Sequence, residues 1–268
     1  MGRRLFLSVK ENNSIAVIDM DRRTFITSLS GVAAPQGMKV VPSLGLVLCA
    51  GDNDGALHAF SLTPPFAQLW SVNVGGSGGA DNVDYDAATG LAWVAYGDNS
   101  GAPYGALAYV SITASGGTVL GSIPFPANGH PEEFHISPTS NYIYASCPQA
   151  NSTMVVVNRV TKTIVSQWPL LPTASDNFAN ELDTLHDRIF VSAYGTTPGT
   201  PAYGDPQFVV LNLFDGSFVW TMPTTAVCDN IKLDAARAGS ISRVVAAQFP
   251  MTQASSSSSS STVPTRTH

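Results

Sequence analysis

The sequence predicts an all-β protein, a β-propeller of four-stranded antiparallel blades with about five complete blades and a partial sixth. Three observations lead to this fold class. A short apolar strand pattern recurs at blade-length spacing, turn-forming residues separate the strands, and Gly and Pro are abundant without any long amphipathic helix pattern. The chain has 268 residues, including 23 Gly and 18 Pro, and 44% of its residues are hydrophobic. This hydrophobic fraction is ample for the core of one large domain.

The recurring element is an apolar strand of four residues. Its six copies are residues 5–8 (LFLS), 46–49 (LVLC), 92–95 (AWVA), 143–146 (IYAS), 189–192 (IFVS) and 244–247 (VVAA). Their first residues lie 41, 46, 51, 46 and 55 positions apart. This spacing matches the repeat of roughly 40–50 residues that is typical of propeller blades.

Further strand patterns accompany each copy. A second strand follows the first five copies, at residues 14–20, 56–62, 106–112, 154–160 and 208–214, and a third comes after it, as at 24–29 and 163–168. A fourth precedes each copy from the second onward, at 36–41, 81–86, 132–137, 178–183 and 229–234. Turn formers such as residues 52–55 (DNDG) separate the strands and are typical of tight hairpins. Inserts rich in Gly, Pro and Tyr at 100–104 and 196–205 are predicted to extend surface hairpins.

The predicted strands do not make up a whole number of complete blades. The first blade lacks its innermost strand, and the sixth stops after residues 244–248. We expect a fragment of a larger ring. The alternative is a five-bladed ring in which residues 229–234 complete the first blade, but the strand at 244–248 would then be surplus. The propeller domain is predicted to cover residues 1–250, and the Ser/Thr-rich segment 251–268 is predicted to be a disordered low-complexity tail because it has little to bury.

Charge and composition exclude several classes of protein. The formal net charge is -6 and no basic patch stands out, so nucleic acid is not expected as a partner. No run approaches the roughly 20 apolar residues of a membrane span, and the first residues enter a strand pattern directly, so no signal peptide is expected. The three cysteines, Cys49, Cys147 and Cys228, are too widely separated for a CxxC metal site or a disulfide framework. They are predicted to be small buried strand residues.

The aligned repeats resemble the YncE-like (YVTN-repeat) propeller family. The residues that carry the resemblance are 35–37 (PQG), 80–86 (ADNVDYD), 129–134 (GHPEEF) and 229–236 (DNIKLDAA), together with the strands at 14–19 and 155–159. They stand in the family's order and spacing, and the match covers about residues 4–248. The His-Pro-Glu segment at 130–132 is its most specific part.

The resemblance implies a WD40/YVTN-type repeat fold that usually has seven blades, is often exported to the periplasm or the extracellular space, and mostly has no assigned reaction. This sequence departs from the family pattern in three ways. It lacks the usual start and leader, it lacks a seventh blade, and residues 177–180 (NFAN) stand where the family tends to have Asn-Phe-Pro-Met. Ring closure, export and any ligand contact at that blade therefore do not carry over.

One candidate site lies where the innermost strands begin, because these strands line the central channel of a propeller. The predicted ligand-binding residues are Gln36, Asp81, Asn82, His130, Glu132, Glu133, Asn177, Asp229 and Asn230. Carboxylates gathered this closely repel one another unless a cation or a basic group lies among them. Oxygen-rich groups suit hard cations such as Ca²⁺ or Mg²⁺. The alternative is that these side chains form hydrogen bonds that tie neighbouring blades together.

Two hypotheses about function follow, and no catalytic motif decides between them. HExxH and phosphate-binding glycine loops are absent from the sequence, and residues 75–79 (GGSGG), which match GxSxG by letter, are predicted to be a flexible glycine-rich connection that leads into a strand rather than a nucleophile elbow. The first hypothesis is a monomeric, non-enzymatic binding propeller that holds a small molecule, a cation or a partner protein at the channel opening. The second is a metal-dependent hydrolase that resembles the lactonases built on propellers. In that case Glu132 or Glu133, Asn82 and Asp229 would hold a divalent cation, with Asp81 or His130 as general base. The first is favoured, because fold resemblance alone does not carry chemistry.

Overall fold

The computed structural model describes residues 2–75, 79–97, 105–125, 129–148, 152–170, 174–195, 205–228, 230–233 and 244–247. These residues form 22 β-strands and two short 3-10 helices, with no α-helix among them. The strands are arranged in six antiparallel sheets, each of which is one blade. The predicted all-β class is therefore confirmed.

The strands are numbered in chain order, and the blades follow the same order. Blade one consists of β1 (Arg4–Val9), β2 (Ser14–Asp19) and β3 (Thr24–Leu29), with the 3-10 helix η1 (Lys10–Asn12). Blade two consists of β4 (Pro35–Val41), β5 (Leu46–Gly51), β6 (Ala56–Ser61) and β7 (Gln68–Asn73), with η2 (Pro42–Leu44). Blade three consists of β8 (Ala80–Asp86), β9 (Leu91–Tyr96), β10 (Ala106–Thr113) and β11 (Gly116–Pro124).

The remaining strands form blades four to six. Blade four consists of β12 (Phe134–Ile136), β13 (Tyr142–Cys147), β14 (Thr153–Asn158) and β15 (Thr163–Pro169). Blade five consists of β16 (Ala174–Ser175), β17 (Asn180–Asp183), β18 (Arg188–Gly195), β19 (Pro206–Asn212) and β20 (Phe218–Pro223). The described part of blade six consists of β21 (Asn230–Leu233) and β22 (Val244–Ala247).

The order of strands in each sheet is that of a propeller. In blades two, three and four each strand pairs with the next strand in the chain, from the innermost to the outermost. Blade one has three strands, with β1 at its inner edge, and blade five carries the extra short strand β16 beside β18. The prediction of about five blades and a partial sixth is confirmed. A complete ring of seven blades stays a prediction. The disordered tail also stays a prediction, because residues 251–268 lie outside the described residues. Most of the two predicted inserts, at 100–104 and 196–205, lies outside them as well.

The hydrophobic core lies between the blades. Each of its five clusters of buried side chains is shared by two consecutive blades, such as Leu48 with Val94 and Trp93 with Ile143. The middle strands of a blade are therefore covered on both faces, which explains why β5 is buried at every position. Burial of apolar surface, worth about 25 cal/mol per Å², thus holds neighbouring blades face to face.

A β-bulge recurs at the same place in five blades. The pairing of the two outer strands shifts register after Val17, Ala59, Tyr109, Val156 and Val210. A bulge inserts one residue and increases the local twist of the strand. Its repetition shows that the blades share one local geometry, in agreement with the repeats seen in the sequence.

The cysteines lead to a prediction about thiol reactivity. Cys49, Cys147 and Cys228 are buried, as expected from the sequence, although Cys228 lies between β20 and β21 rather than in a strand. Burial raises the pKa of Cys49 and of Cys147 to about 12. Because the thiolate is the reactive form, we expect no reaction of the native protein with the thiol reagent DTNB at neutral pH. All three thiols should react once guanidinium chloride has unfolded the chain. Fast labelling of the native protein would contradict this prediction.

Candidate functional site

The inner strands place the candidate site. β4, β8, β12, β17 and β21 lie side by side in chain order, since each contacts the next. They line the channel, and we call the end at which they begin the channel mouth. Gln36 and Asp81 occupy equivalent positions in β4 and β8, each inside a register shift. A bulge of this kind re-aims side chains, which is how a strand directs two successive polar residues toward the mouth.

Three of the predicted site residues come together at the channel mouth. One possible ligand atom from each of Asp81, His130 and Glu132 lies within 4.8 Å of the others, and Nε2 of His130 lies 3.7 Å from Oδ2 of Asp81. The side chain of Asp81 is 24% exposed and that of His130 is 18% exposed. Asp81 belongs to blade three, whereas His130 and Glu132 lead into the inner strand of blade four. The cluster therefore spans a blade boundary and is open to solvent.

Two glycines of blade three make room for His130. Gly97 directly follows β9 and Gly105 directly precedes β10. A Cβ atom on Gly97 would overlap Nδ1 of the His130 ring, and a Cβ atom on Gly105 would lie 2.7 Å from Cα of His130. The hairpin backbone thus packs directly against the imidazole and holds its orientation. Sequence analysis did not find this contact, because neither glycine lies near His130 in the chain.

Two opposed effects set the ionisation of His130. Burial by itself lowers the pKa of His130, because desolvation disfavours the charged ring, whereas the carboxylates of Asp81 and Glu132 raise it. The raising effects dominate, and the negative charge of Asp52 acts in the same direction. The mouth therefore has a negative field that favours positive charge at this point.

Gln36 lies at the same mouth but makes contacts within blades one and two. Its Nε2 donates to Oδ2 of Asp52 at 3.4 Å, and the same oxygen binds Nζ of Lys10 at 2.8 Å. The backbone carbonyl of Gln36 accepts a hydrogen bond from the hydroxyl of Ser8. Gln36 and Asp52 therefore help to join the first two blades.

Asn82 and Asn177 are placed against neighbouring blades. Oδ1 of Asn82 lies close to Gly37, where a Cβ atom would come within 3.0 Å of this oxygen and 2.8 Å of Cα of Asn82. Asn177 is fully buried, and its Nδ2 donates to the carbonyl of Thr153 in blade four at 3.2 Å. For Asn177 this is the inter-blade hydrogen bonding that the sequence left open as the alternative to a ligand site.

Glu133 faces blade five rather than the cluster. It is 8% exposed, and its Oε2 accepts a hydrogen bond from the backbone N–H of Asn180 at 3.2 Å. Nδ2 of Asn180 in turn donates to the carbonyl of Glu133 at 2.7 Å and to the hydroxyl of Ser146 at 3.0 Å. This two-way bonding fixes the inner strand of blade five to that of blade four.

The last two predicted residues are Asp229 and Asn230. Asn230 is exposed at the start of β21, and Asp229 lies outside the described residues. Of the predicted metal ligands Asn82, Glu132 and Asp229, the structure brings Glu132 into the cluster. Its partners there are Asp81 and His130, which the sequence had offered as general bases.

A second ring of charged side chains, which sequence analysis missed, lies farther along the inner strands, three residues after Gln36, Asp81 and Glu132 and four residues after Asn177. Its members are Lys39, Asp84, His135, Glu181 and Lys232. Lys39 pairs with Asp84 between blades two and three, and Lys232 binds Glu181 at 3.1 Å between blades five and six. In blades two and three the offset of three follows from a strand period of two plus the extra residue of a bulge. The aligned position carries basic and acidic residues in alternation from one blade to the next, and this pattern could have identified the ring from the sequence.

The surroundings of His135, a member of this second ring, lead us to predict that the stability of the fold depends on pH. Its Nε2 lies 3.4 Å from Oε1 of Glu133, which is close enough for an ion pair. The geometry is not that of a hydrogen bond, and Nε2 has no hydrogen-bond partner among the described residues. Burial lowers the pKa of His135, but the carboxylates of Glu133 and Glu181 raise it by more, so that the net shift is upward. The folded state therefore binds this proton more tightly than the unfolded chain does.

The sign of the effect follows from proton linkage. The contribution of His135 to stability is complete below about pH 6.5, the pKa of an unperturbed histidine, and is lost as the pH rises through the higher folded-state pKa. We expect the stability difference between the wild type and His135→Gln to shrink as the pH rises above about 6.5. Urea denaturation at a series of pH values measures it. A difference that grows with pH would show that His135 is bound in its neutral form.

Comparisons with known proteins agree with this architecture. No family model and no curated protein matches the chain. Among solved structures, the hydrazine synthase of Kuenenia stuttgartiensis matches with a TM-score of 0.71 and 13% identity, over 82% of this chain and 62% of that one. The WD40 domain of Neurospora crassa Pan2 matches with a TM-score of 0.61 and 16% identity, over 86% of this chain and 65% of that one.

Both solved structures are longer than this chain and differ from it widely in sequence. The chain spans less than two thirds of the length of each of the two structures, and both are far below 25% identical to it. Across the described residues, no helix is long and apolar enough to cross a membrane. The comparisons show that this chain has the fold of a β-propeller.

Proposed function

We propose that this chain is a non-enzymatic binding propeller of the YncE-like type that holds a positively charged ligand at the channel mouth. One observation carries the proposal: two carboxylates, Asp81 and Glu132, converge on a single imidazole, that of His130, at the boundary of two blades. The second ring, by contrast, pairs acids with bases between blades. Within the part of the chain that the structure describes, negative side chains therefore gather at the channel mouth.

The nature of the ligand follows from this negative charge. Carboxylates held close together are stabilised when a cation comes between them. A metal ion, a small molecule with an amine, or a lysine or arginine of a partner protein would each supply that charge. The YncE-like assignment rests on the resemblance of the repeats, above all the segment that contains His130 and Glu132.

A thermal-shift experiment tests the proposal. The full chain is melted with Ca²⁺, Mg²⁺, Zn²⁺, spermidine or an arginine-rich peptide, and the melting temperature is compared with that of the variant Asp81→Asn/Glu132→Gln. A ligand at about 100 times its Kd stabilises the folded state by about 2.7 kcal/mol. We expect at least one of these cations to raise the melting temperature of the wild type and not that of the variant.

The control removes the same amount of charge elsewhere. Asp187→Asn/Asp215→Asn changes two carboxylates in turns of blade five, at the end opposite the channel mouth. Asn tolerates the left-handed backbone of Asp187, which has a φ of 54°. The control should respond to the cation as the wild type does. If no cation shifts the wild type, or if the control loses the shift as well, the channel mouth is not the binding site.

The hydrolase alternative makes a different demand on the same residues. A general base must stay free of the metal, but Asp81 and His130 lie within one cluster with Glu132, so that a cation bound to Glu132 would have both as neighbours. This arrangement favours binding over catalysis. Turnover of a lactone or ester by the wild type that is lost in Asp81→Asn would contradict the non-enzymatic part of the proposal.

A further inference from the structure

This inference rests on the function proposed above, in which the channel mouth binds a positively charged ligand. The chemistry of the three converging side chains indicates which class of cation that ligand is. We infer that Asp81, His130 and Glu132 form a site for a divalent transition-metal ion of the Zn²⁺ type. The site would hold the metal between blades three and four, with a fourth coordination position facing the open channel mouth.

The donor set selects this class of ion. Calcium binds through six to eight oxygen atoms, and magnesium through oxygen atoms in an octahedron. An imidazole nitrogen instead suits Zn²⁺, Co²⁺, Ni²⁺ or Cu²⁺. Zinc accepts both His nitrogen and Asp or Glu oxygen as ligands, and a site with three protein ligands keeps its fourth position for water or another molecule. The prediction of Ca²⁺ or Mg²⁺ considered oxygen ligands and left His130 out of the metal site.

The distances are compatible with such an ion. Tetrahedral zinc with bonds of about 2.0–2.2 Å places its ligand atoms about 3.3–3.6 Å from one another. Nε2 of His130 and Oδ2 of Asp81 are already 3.7 Å apart, and the ligand atoms of all three residues lie within 4.8 Å. Closing the set needs a side-chain movement of about 1 Å, which rotation of the Glu132 side chain can supply.

The structure also holds the imidazole in place before any ion arrives. Gly97 packs against Nδ1 of His130, and Gly105 packs against the backbone of His130 and against Pro131. The ring therefore has little freedom to turn, and Nε2 is the nitrogen nearer Asp81. A ligand whose orientation is fixed by its surroundings loses less entropy when it binds a metal.

Metal titrations of the full chain, stripped with EDTA and then dialysed, test the inference. Calorimetry with Zn²⁺ measures stoichiometry and affinity, and visible absorption follows Co²⁺ as a spectroscopic substitute. We expect one tight Zn²⁺ per chain, and a Co²⁺ spectrum of low coordination number without thiolate charge-transfer bands, which rules out the three cysteines. His130→Gln should weaken the affinity by more than the roughly 10–100-fold that loss of an outer-shell partner costs.

A second histidine provides the matched control. Nδ1 of His186 lies 2.7 Å from Oδ2 of Asp183 in a turn of blade five, so that His186→Gln also removes an imidazole beside a carboxylate. It should leave the affinity unchanged. Glu132→Gln repeats the test if His130→Gln melts at a much lower temperature. Equal affinity of His130→Gln, Glu132→Gln and wild type would overturn the inference.

The outcomes separate this inference from the proposed function. If Ca²⁺, Mg²⁺ or spermidine stabilises the wild type but not Asp81→Asn/Glu132→Gln, and Zn²⁺ and Co²⁺ do not bind, the channel mouth binds cations but is not a transition-metal site. If none of these cations binds and the arginine-rich peptide does not bind either, both proposals fail. One Zn²⁺ per chain that is lost in His130→Gln and kept in His186→Gln supports both.

Discussion

Replacing Arg159 with alanine is expected to lower the free energy of unfolding by about 3–5 kcal/mol, because it leaves a buried carboxylate without its cation. Arg159 extends from the turn after β14 in blade four, and its Nη1 binds Oδ1 of Asp86 in blade three at 2.8 Å. Asp86 is 1% exposed at its side chain. The two residues are 73 positions apart in the chain, so that the pair links consecutive blades.

Other bonds hold Asp86 in place when the arginine is removed. Its Oδ2 accepts a hydrogen bond from the hydroxyl of Thr89 at 2.6 Å, and its Oδ1 accepts one from the backbone N–H of Ala88 at 3.0 Å. The carboxylate therefore cannot turn toward solvent without breaking the turn after β8. This is why the cost should lie in the range of a broken buried pair rather than that of a surface pair.

Guanidinium chloride denaturation of the wild type, Arg159→Ala, Asp86→Ala and the double variant measures the effect and the coupling energy. Arg22→Ala is the control, because Arg22 forms the same kind of pair with Asp19 at 3.1 Å but is 81% exposed at its side chain. Solvent screens that pair, so that the control should lose far less stability. Equal losses in Arg159→Ala and Arg22→Ala would show that the buried pair is not important for packing of the blades.

Gly97→Ala is expected to abolish or strongly weaken ligand binding at the channel mouth. The new methyl group would overlap Nδ1 of His130, and the ring must move away from Asp81 and Glu132 to relieve the overlap. Crowding of this kind costs about 1–3 kcal/mol of stability, and displacement of a metal ligand should lower the affinity for Zn²⁺ by about tenfold or more. Zinc calorimetry and a melting curve measure the two effects.

Gly116→Ala is the matched control for Gly97→Ala. Gly116 begins β11, and nothing lies within 4 Å of the position that its Cβ atom would take. This variant should bind zinc as the wild type does. Wild-type zinc affinity in Gly97→Ala, with an unchanged melting temperature, would show that His130 is not held by the hairpin of blade three.

The strands could be predicted from the sequence because they depend on local pattern. The apolar segment at 46–49 becomes β5 (Leu46–Gly51), and the segment at 143–146 becomes the centre of β13 (Tyr142–Cys147). Each blade buries its middle strands on both faces, so that the pattern is a continuous apolar run that recurs once per blade. Fold class and blade order follow from this spacing without any knowledge of contacts.

The inner strands were less accurately predicted. A strand was expected from residue 132, but β12 begins at Phe134, and a strand was expected from residue 178, but β17 begins at Asn180. In both cases the preceding residues still form backbone hydrogen bonds to the next strand, such as Glu132 to the carbonyl of Ser146. Irregular pairing at the channel mouth frees side chains to point into the site, and a simple strand period cannot predict it.

The composition of the candidate site was only partly visible in the sequence. Equivalent positions in the repeats identified Asp81 and Glu132, and His130 was found because it lies two residues before Glu132. The same alignment also placed Asn177 in the ring, but the structure gives it a buried hydrogen bond to Thr153 in the neighbouring blade. Alignment of repeats reports where a residue lies along its strand and not what stands opposite it.

The sequence by itself determined the propeller fold, the order of the blades and the end of the channel at which polar residues collect. Only the tertiary structure decided that Asp81, His130 and Glu132 converge, that Gly97 packs on the imidazole, and that Arg159 neutralises Asp86. The physical reason is distance along the chain. Strands follow from periodicity over a few residues, whereas each of these contacts joins residues tens of positions apart, and its existence depends on the angle and spacing at which two packed blades meet.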